Sequence, residues 1–330
     1  MVAPSSNLAT VQRLLNDRRF AEAAQRLIAA ADSDDPSALI VLAQWRISGD
    51  IVRRDLAAAR MLLGRARAAG SDEAGLLHAA FCASEVGGPA DWTGAMNVLL
   101  TLADRQPYAA TQLRLIQAMT LTPDGAPADP IKRRPLSTSP HVELAERLFT
   151  PEECTYVLAV ATPQLQRSLV ADPRTGQMVP HPIRRSLAAM IGVHAEDVAI
   201  NALNRRIAAF SRTELCQAEP LQLLSYGPSD EYRAHLDVLP AEPNQRIATV
   251  LVYLTDDYAG GETAFLKTGL KVRGRIGDAI VFRNVTADGA IDPMAEHAGL
   301  PVTRGTKQIA SRWIRARRFT YPSPHSLLPI

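Results

Sequence analysis

Apolar and polar residues follow two different patterns along the chain. The first 120 residues are rich in Ala and Leu at helical spacing, with short breaks at Gly and Asp. After residue 218, short stretches rich in β-branched and aromatic residues alternate with Gly, Pro and Asp turns. The pattern predicts an α+β protein of two domains. An N-terminal all-α helical-repeat solenoid precedes a C-terminal double-stranded β-helix, or jelly roll, with flanking helices.

The helical part repeats at a period of 36 residues. When SALIVLAQW is aligned with EAGLLHAAF, Asp55 matches Asp91 and Leu63 matches Leu99. Each copy is predicted to be a helix, a turn and a second helix, which cannot bury its apolar face without stacking on a neighbour. The period resembles tetratricopeptide-like repeats of the Sel-one-like class. Two roles stay open: a scaffold or dimerisation arm, and a groove that captures a peptide.

Prolines are concentrated in the segment between the two patterns. Residues 123–140 contain five prolines and no apolar period. Because proline removes a backbone donor and disfavours helix in the residue before it, this segment is predicted to be an extended linker. The predicted divisions are a helical-repeat domain at 1–122, the linker at 123–140, a second domain at 141–322 and a tail at 323–330.

Local signals predict the elements of the second domain. A helix is expected from Pro151, because Thr150 is a good N-cap and proline suits the first helical position. A second helix is expected in AEDVAINALNRRIAAFSR. Strands are expected in PLQLLSYG, QRIATVLVYLT, GDAIVFRNV and KQIASRWIRARRF. The arginines of SRWIRARRF are interpreted as a solvated strand edge.

Composition narrows the class of protein. The formal net charge of only +2 does not indicate nucleic-acid binding, and no apolar run reaches membrane-spanning length. Neither a nucleic acid nor a membrane is therefore expected as a partner. Cys82, Cys154 and Cys216 form no CxxC pair and no disulfide framework. The N-terminal residues lack the apolar core of a signal peptide. A cytoplasmic enzyme is therefore expected.

Three residues of the second domain are candidate metal ligands. His235 and Asp237 stand two apart in EYRAHLDVLP, a spacing that places both side chains on one face of a strand. His297 lies far downstream in AEHAGLPVTRG. Two imidazoles and one carboxylate on one face of a metal form the ligand set of the non-haem Fe(II) oxygenases. His-x-Asp alone is a weak motif, so the context decides its weight.

Lys307 is the next candidate. A hairpin centred near residue 302 is predicted to bring His297 and Lys307 almost opposite each other. Strand alternation places Lys307, Ile309 and Trp313 on one face. A lysine on an apolar inward face needs an anion, and the far carboxylate of 2-oxoglutarate is one. The competing interpretation is a surface lysine that protects an edge strand.

Two tyrosines precede His235. Tyr226 stands nine residues before it, and its phenol is a candidate donor to the same carboxylate as Lys307. Tyr232 stands three residues before it and is expected either to pack beside the metal or to face the substrate. Plain core packing stays open for both, because tyrosines commonly fill strand faces.

These motifs carry a family resemblance. The ordered series Y-x-x-x-x-x-Y-x-x-H-x-D, G-G-E-T, G-D-A-x-x-F and H-A-G-x-P-V-x-x-G-x-K resembles the catalytic domain of prolyl 4-hydroxylase-type 2-oxoglutarate/Fe(II) dioxygenases over about residues 142–320. The resemblance implies that His235, Asp237 and His297 are the iron ligands, that Lys307 binds the distal carboxylate of 2-oxoglutarate, and that Tyr226 assists it. Arg185 and Ser186 occupy the place of a family segment that closes over the site. Tyr232, Arg185 and Trp313 are the substrate-side candidates.

The chain departs from the family pattern at two places. Gln308 stands where the family usually has Trp, and Arg184–Arg185 replaces a single arginine followed by threonine. These departures concern the fit of the substrate rather than the reaction class.

The activity implied by the resemblance is hydroxylation of an unactivated C–H. Fe(II), 2-oxoglutarate and L-ascorbate are the implied cofactors, dioxygen is the cosubstrate, and succinate and CO2 are released. A prolyl residue of a peptide or protein, recruited by the repeats, is the leading substrate.

Three other functions stay open. The first is a hydroxylase of a free amino acid or small metabolite, with the repeats serving assembly, for example as a homodimer. The second is an inactive oxygenase-fold adaptor. The third is a zinc hydrolase, which has no role for Lys307.

Overall fold

A computed structural model describes residues 6–171, 178–180, 183–321 and 326–328. The predicted tail at 323–330 therefore lies mostly outside the described residues. The chain divides into two compact units. The first comprises Met1–Gly125, Glu196–Ala202 and Thr320–Ile330, and the second comprises Ala126–Ala195 and Leu203–Phe319.

The first unit is helical, as its apolar spacing predicts. Its helices are α1 Ser6–Asn16, α2 Phe20–Asp32, α3 Pro36–Ser48, α4 Leu56–Ala68, α5 Asp72–Ala83, α6 Trp92–Leu102 and α7 Pro107–Gln117. Each helix packs against the next one along the chain. Within the described part of the chain, none of the helices combines the length and the apolar character needed to cross a membrane.

Matched positions of the 36-residue period have matched local roles. Asp55 and Asp91 are the N-caps of α4 and α6, and each carboxylate accepts a hydrogen bond from the backbone N–H three residues later, at 2.9 and 2.8 Å. Such a bond satisfies one of the orphan donors at a helix start. Leu63 and Leu99 are both fully buried. The helix pairs α3–α4 and α5–α6 therefore share their capping and burial pattern.

The second unit is mainly antiparallel β-sheet. Two longer helices accompany it, α8 Pro151–Ala161 and α9 Val198–Ser211. The strands are β1 Arg134–Thr138, β2 His141–Ala145, β3 Gln166–Arg167, β4 Leu169–Ala171, β5 Met178–Pro180, β6 Leu187–Ile191, β7 Leu221–Tyr226, β8 Tyr232–His235, β9 Arg246–Tyr253, β10 Ala259–Gly260, β11 Thr263–Phe265, β12 Leu270–Val272, β13 Ala279–Arg283, β14 His297–Gly299, β15 Val302–Arg304 and β16 Lys307–Arg315.

Two sheets build the core of this unit. An eight-stranded sheet has the order β1-β2-β13-β9-β16-β7-β6-β3, and a four-stranded sheet has the order β12-β11-β14-β8. Two strand pairs, β10–β15 and β4–β5, complete the pairing of the described strands. One cluster of buried apolar side chains draws on both sheets, and in it Phe265 of β11 meets Phe282 of β13 edge to face at 5.2 Å. The predicted sequence of helices followed by antiparallel strands is confirmed.

The first strand lies inside the segment predicted to be a linker. β1 pairs antiparallel with β2, from Arg134 opposite Leu144 to Thr138 opposite His141. It contains Pro135, which is tolerated because β1 is the edge strand of its sheet. The proline count predicted an extended linker but could not show that Arg134–Thr138 pairs within a sheet.

The predicted hairpin between His297 and Lys307 is wrong. His297 begins β14 in the four-stranded sheet, whereas Lys307 begins β16 in the eight-stranded sheet. The connection between them contains β15, which pairs with β10 instead. Gly305 turns this connection with a φ of +73°, and a Cβ there would lie 2.6 Å from the carbonyl oxygen of Asp257.

The arginines of β16 correct a second prediction. β16 lies between β9 and β7 rather than at an edge, and Arg312 and Arg315 are buried. Arg315 Nε lies 2.6 Å from the carboxylate of Glu219, and Arg246 donates two hydrogen bonds to the same carboxylate at 2.6 and 2.8 Å. The solvated-edge interpretation failed for these two residues because their buried partner, Glu219, lies far away in the sequence.

The start of α9, residues 196–202, belongs to the first unit. Asp197 is buried, and its carboxylate accepts hydrogen bonds from the backbone N–H of Ile200 at 2.8 Å and from the Tyr108 hydroxyl at 2.5 Å. The side chain of Gln112 accepts a hydrogen bond from the backbone N–H of Val198 at 3.2 Å. Residues of α7 thus satisfy donors and acceptors at this helix end.

The predicted helix start at Thr150 is confirmed as a capping box. The Thr150 hydroxyl accepts a hydrogen bond from the Glu153 backbone N–H at 3.2 Å, and the Glu153 carboxylate accepts one from the Thr150 N–H at 2.8 Å. Arg206 of α9 forms a two-pronged ion pair with the same carboxylate at 2.6 and 3.0 Å. The cap therefore joins α8 to α9.

We expect Thr150→Ala to lower the free energy of unfolding by about 1 kcal/mol, because it removes the side-chain acceptor of the cap. Urea unfolding of the full chain, followed by circular dichroism, measures the change. Thr155→Ala is the matched control, since Thr155 is exposed on the same helix and should shift stability by less than about 0.5 kcal/mol. Equal effects of the two substitutions would contradict the capping role.

Candidate active site

Three polar side chains converge at the four-stranded sheet. His235 ends β8, and its Cα partner across the sheet is His297, which begins β14. Asp237 lies two residues beyond the end of β8, so the expectation that it shares the strand with His235 is corrected. The possible ligand atoms of the three residues all lie within 4.8 Å of one another. His235 Nε2 is 3.6 Å from Asp237 Oδ1, and His297 Nε2 is 3.8 Å from Asp237 Oδ2.

Backbone carbonyls orient both imidazoles. His235 Nδ1 lies 2.8 Å from the carbonyl oxygen of Arg233, and His297 Nδ1 lies 3.0 Å from that of Ala295. A carbonyl only accepts, so Nδ1 must carry the proton and donate in each ring. Nε2 of each neutral ring is then left with its lone pair beside Asp237, which is the arrangement of metal-binding histidines.

A hydrogen-bonded chain from the large sheet holds the carboxylate. The Thr249 hydroxyl of β9 donates to Asp237 Oδ2 at 2.6 Å, and Asn284 Nδ2 donates to the Thr249 hydroxyl at 3.0 Å. Thr249 and Asn284 are each 1% exposed. Neither Thr249 nor Asn284 is among the site residues that the sequence predicts. A threonine inside the apolar run of β9 was the available signal.

Protonation states suit metal binding. Burial opposes the charge of Asp237, but the adjacent His235 and His297 rings and the Thr249 hydroxyl together hold the pKa of this carboxyl well below its ordinary value. Burial lowers the pKa of His297 to about 4, although the Asp237 charge opposes this shift. At neutral pH, Asp237 is therefore a carboxylate and His297 a neutral imidazole, the forms that ligate metals.

Lys307 lies in the same recess as the three candidate ligands. This active-site recess is lined by Leu224, Tyr226, Tyr232, His235, Asp237, Leu251, Thr263, His297, Gly299, Lys307, Ile309, Ser311 and Trp313. The predicted face of β16 is confirmed, because Lys307, Ile309 and Trp313 all line the recess. Asp237 and Lys307 thus provide the opposite charges of one cavity.

Lys307 is held as a buried cation. It is 3% exposed, and its ammonium donates a hydrogen bond to the carbonyl oxygen of Gly261 at 2.6 Å. Tyr226 is its Cα partner across the β7–β16 pair. Burial lowers the pKa of Lys307 to about 8, against the opposing charge of Glu262. Burial raises the pKa of Tyr226 above its ordinary value, so its phenol keeps its proton and can donate.

The G-G-E-T motif makes room for this lysine. Gly261 has a φ of +70°, and a Cβ there would lie 3.2 Å from Cδ of Lys307 and 3.0 Å from Cγ2 of Val302. Only glycine readily adopts this backbone conformation without crowding its neighbours. The motif therefore has a packing reason, which is to bring a backbone carbonyl onto the lysine.

Two of the substrate-side candidates line the recess. The Tyr232 ring stacks on the His235 imidazole, with centroids 3.5 Å apart and planes 16° apart. Burial raises the pKa of Tyr232 to about 12. The Arg246 guanidinium lies over the Trp313 ring, 3.9 Å from its centroid. The same guanidinium donates a hydrogen bond to the Glu219 carboxylate.

The third candidate lies elsewhere. Arg185 is exposed and is not among the residues that line the recess; its backbone N–H donates to the carbonyl oxygen of Glu231 at 2.9 Å. Arg184 is the arginine beside the site, with its guanidinium carbon 5.5 Å from the Tyr232 ring centroid. The motif alone could not show which of two adjacent arginines faces inward.

Known proteins resemble the part of the chain that builds this site. Residues 221–315 match the model of the 2OG-Fe(II) oxygenase superfamily. Among solved structures, the viral collagen prolyl hydroxylase of Paramecium Bursaria Chlorella virus-1, in its 2OG complex, is 26% identical, with a TM-score of 0.44, and the match covers 53% of this chain and 96% of that one.

Two plant relatives extend the sequence match. Prolyl 4-hydroxylase 1 of Arabidopsis thaliana is 36% identical over 207 residues, covering 57% of this chain and 73% of the relative. Probable prolyl 4-hydroxylase 10 of the same plant is 31% identical over 208 residues, covering 56% of this chain and 72% of the relative. On this identity and coverage, the chain belongs to the prolyl 4-hydroxylase family of 2-oxoglutarate/Fe(II) oxygenases.

Proposed function

We propose that this protein is a 2-oxoglutarate- and Fe(II)-dependent dioxygenase that hydroxylates a prolyl residue of a peptide or protein and releases succinate and CO2. One observation carries the proposal: a single recess contains two histidines, a carboxylate and a buried lysine. Three ligands on one face of an iron leave positions open for a chelating cosubstrate and dioxygen. A zinc hydrolase would need the three ligands but not the lysine.

The donor set fits iron. His235 and His297 would bind through Nε2, and Asp237 through its carboxylate. Bound iron supplies the activation of dioxygen, with 2-oxoglutarate as the source of electrons, for insertion of an oxygen atom into a C–H bond. The chain itself supplies position: carbonyl acceptors hold the two rings, and Thr249 holds the carboxylate.

Lys307 is proposed to bind the distal carboxylate of 2-oxoglutarate. An ammonium has three donors, and one of them is engaged with the carbonyl oxygen of Gly261. The remaining donors, together with the protonated Tyr226 phenol, suit a carboxylate. Because the recess is buried, this ion pair would be screened less than a surface pair.

The prolyl substrate is inferred from the two plant relatives, which are named prolyl 4-hydroxylases. Tyr232 and Trp313 would provide ring surfaces for the pyrrolidine, and Arg185 remains a candidate outside the recess. L-Ascorbate is the proposed reductant that returns oxidised iron to the ferrous form.

Several finer features of the architecture belong to the same proposal. The two sheets are proposed to form the double-stranded β-helix of a dioxygenase domain at 141–322. Residues 1–122 are proposed to be a solenoid that recruits the peptide or mediates assembly into a homodimer. The features that support this are the consecutive helix packing in the first unit and the core shared by the two sheets in the second.

The reaction class is tested by anaerobic titration of the full chain with Fe(II) and 2-oxoglutarate. We expect a weak visible charge-transfer band that disappears in His297→Ala, because that variant loses one ligand. Aerobic incubation with proline-containing peptides should then add the mass of one oxygen atom to a proline. Wild-type protein that gives no band would reject the oxygenase assignment. A band without peptide oxidation, but with oxidation of a free amino acid, would reject only the peptide substrate.

Thr249→Val should lower the affinity for Fe(II) by about 10- to 100-fold, because Asp237 loses its hydroxyl partner in a buried site. Thr249→Ser restores the hydroxyl and should stay within about threefold of wild type. Anaerobic Fe(II) titration in the absence of 2-oxoglutarate measures this directly. Equal Fe(II) affinities of the valine and serine variants would show that the Thr249 hydroxyl does not contribute to metal binding.

The charge of Lys307 predicts a pH limit. Its pKa is lowered to about 8, so the ammonium is intact below that pH and is lost as the pH rises through it. The value of kcat/KM for 2-oxoglutarate should therefore fall above about pH 8, by roughly tenfold per pH unit. Lys307→Arg keeps its charge and should abolish this limb of the profile, whatever its absolute activity. If kcat/KM of the arginine variant still falls above about pH 8, a group other than Lys307 causes the decrease.

A further inference from the structure

A second recess of the sheet unit combines a large volume with a high local charge. It has a volume of about 1310 Å³ and shares no lining residue with the active-site recess. Six exposed cationic side chains line it: Lys132, Arg134, Arg147, Lys271, Arg273 and Arg275. The whole chain has a formal charge of only +2, so this concentration of positive charge is local. We call this recess the basic groove.

Three carboxylates also line the basic groove, and they offset only part of the charge of its seven cationic side chains. Asp278 accepts hydrogen bonds from the backbone N–H groups of Arg147 and Arg275, at 3.0 and 2.9 Å, and Asp256 accepts one from that of Ile276 at 3.1 Å. Both acids are therefore engaged by backbone amides. Glu146, the remaining acidic lining residue, lies 4.0 Å from Arg134 at an exposed position, where an ion pair contributes little.

Apolar side chains provide the other surface of the basic groove: Leu136, Leu144, Leu270, Val272 and Ile276. Leu144 and Val272 belong to the buried core, so the accessible apolar surface comes from the partly buried Leu136, Leu270 and Ile276. A ligand that satisfies both surfaces must combine carboxylates with aliphatic groups. An extended polypeptide of alternating acidic and apolar residues does so, because successive side chains point to opposite faces of a strand.

The ends of both sheets meet at this groove. β1 is the terminal strand of the eight-stranded sheet and β12 is the terminal strand of the four-stranded sheet, and residues of both line the groove. A terminal strand can pair with an added strand through its backbone. The volume also exceeds the range typical of small-molecule sites, as a polypeptide segment requires.

We infer that the basic groove binds an extended acidic segment of another polypeptide, held by ion pairs to its cationic side chains and by strand addition at β1 or β12. This inference does not depend on the iron site. A nucleic acid fits less well, because none of the lining residues is aromatic for base stacking, whereas aliphatic side chains line the groove. Simple protection of exposed strand edges does not account for Arg147, Arg273 and Arg275, which lie outside both strands.

The test uses the full-length protein and a fluorescein-labelled peptide of alternating Glu and Leu, with fluorescence anisotropy as the measurement. We expect saturable binding that weakens as salt is raised. Lys132→Glu/Lys271→Glu should weaken binding by about tenfold or more, because both reversed charges face the peptide. Arg167→Glu/Arg304→Glu is the matched control: it changes the net charge equally at exposed residues of β3 and β15, and should stay within about twofold.

Three comparisons decide the outcome. A peptide N-methylated at alternate residues loses backbone donors and should bind more weakly if a strand is added. If the charge-reversal variant fails to fold, Lys132→Gln/Lys271→Gln replaces it, with an expected loss of about threefold. Unchanged peptide binding in the variant that folds overturns the proposal. Tighter binding of a dT oligonucleotide, abolished by the same variant, overturns it in favour of a nucleic-acid site.

Discussion

A buried carboxylate governs the arrangement of the active site. Asp237 is 6% exposed, and a carboxylate at such a position is tolerated only when it is paired and hydrogen-bonded. Its partners come from both sheets: His235 and His297 from the four-stranded sheet, and Thr249 from the eight-stranded sheet. The same group that would ligate iron therefore ties the two layers of the domain together. Any shift of one sheet against the other would leave this charge without its partners.

A buried positive charge, Lys307, complements the negative charge of Asp237 in the recess. Lys307 stands in the same cavity as Asp237, and the carbonyl oxygen of Gly261 satisfies only part of its hydrogen-bonding capacity. An anion with two carboxylates would match these charges, because one end could meet the metal and the other the ammonium. Monocarboxylic acids would leave the lysine buried without an anion. With the proposed role of Lys307, the recess would select its cosubstrate by charge at both ends.

Local rules predicted the parts of the site that depend on one segment. Strand alternation placed Lys307 and Trp313 on one inward face, and capping chemistry located the helix start at Thr150. Features that depend on pairing between distant segments were beyond the sequence. The partners of β14 could not be deduced from the turn that follows it, so the hairpin was predicted wrongly. The roles of Thr249 and Asn284 emerged only when β9 and β13 were placed beside Asp237.

The helix start at Asp197 has a consequence for how this protein can be rearranged in evolution. Residues 196–202 follow the proline-rich segment and α8 in the sequence, yet they belong to the same unit as the N-terminal helices. In that unit, the Tyr108 hydroxyl donates to Asp197, and the Gln112 side chain accepts from the Val198 N–H. A boundary drawn in the sequence is therefore not a boundary in the fold. Exchange of the first 125 residues for an unrelated module would remove the Tyr108 hydroxyl from the Asp197 carboxylate and the Gln112 acceptor from the Val198 N–H. The N-terminal helices and the start of α9 therefore form one unit of exchange, although more than 70 residues separate them along the chain.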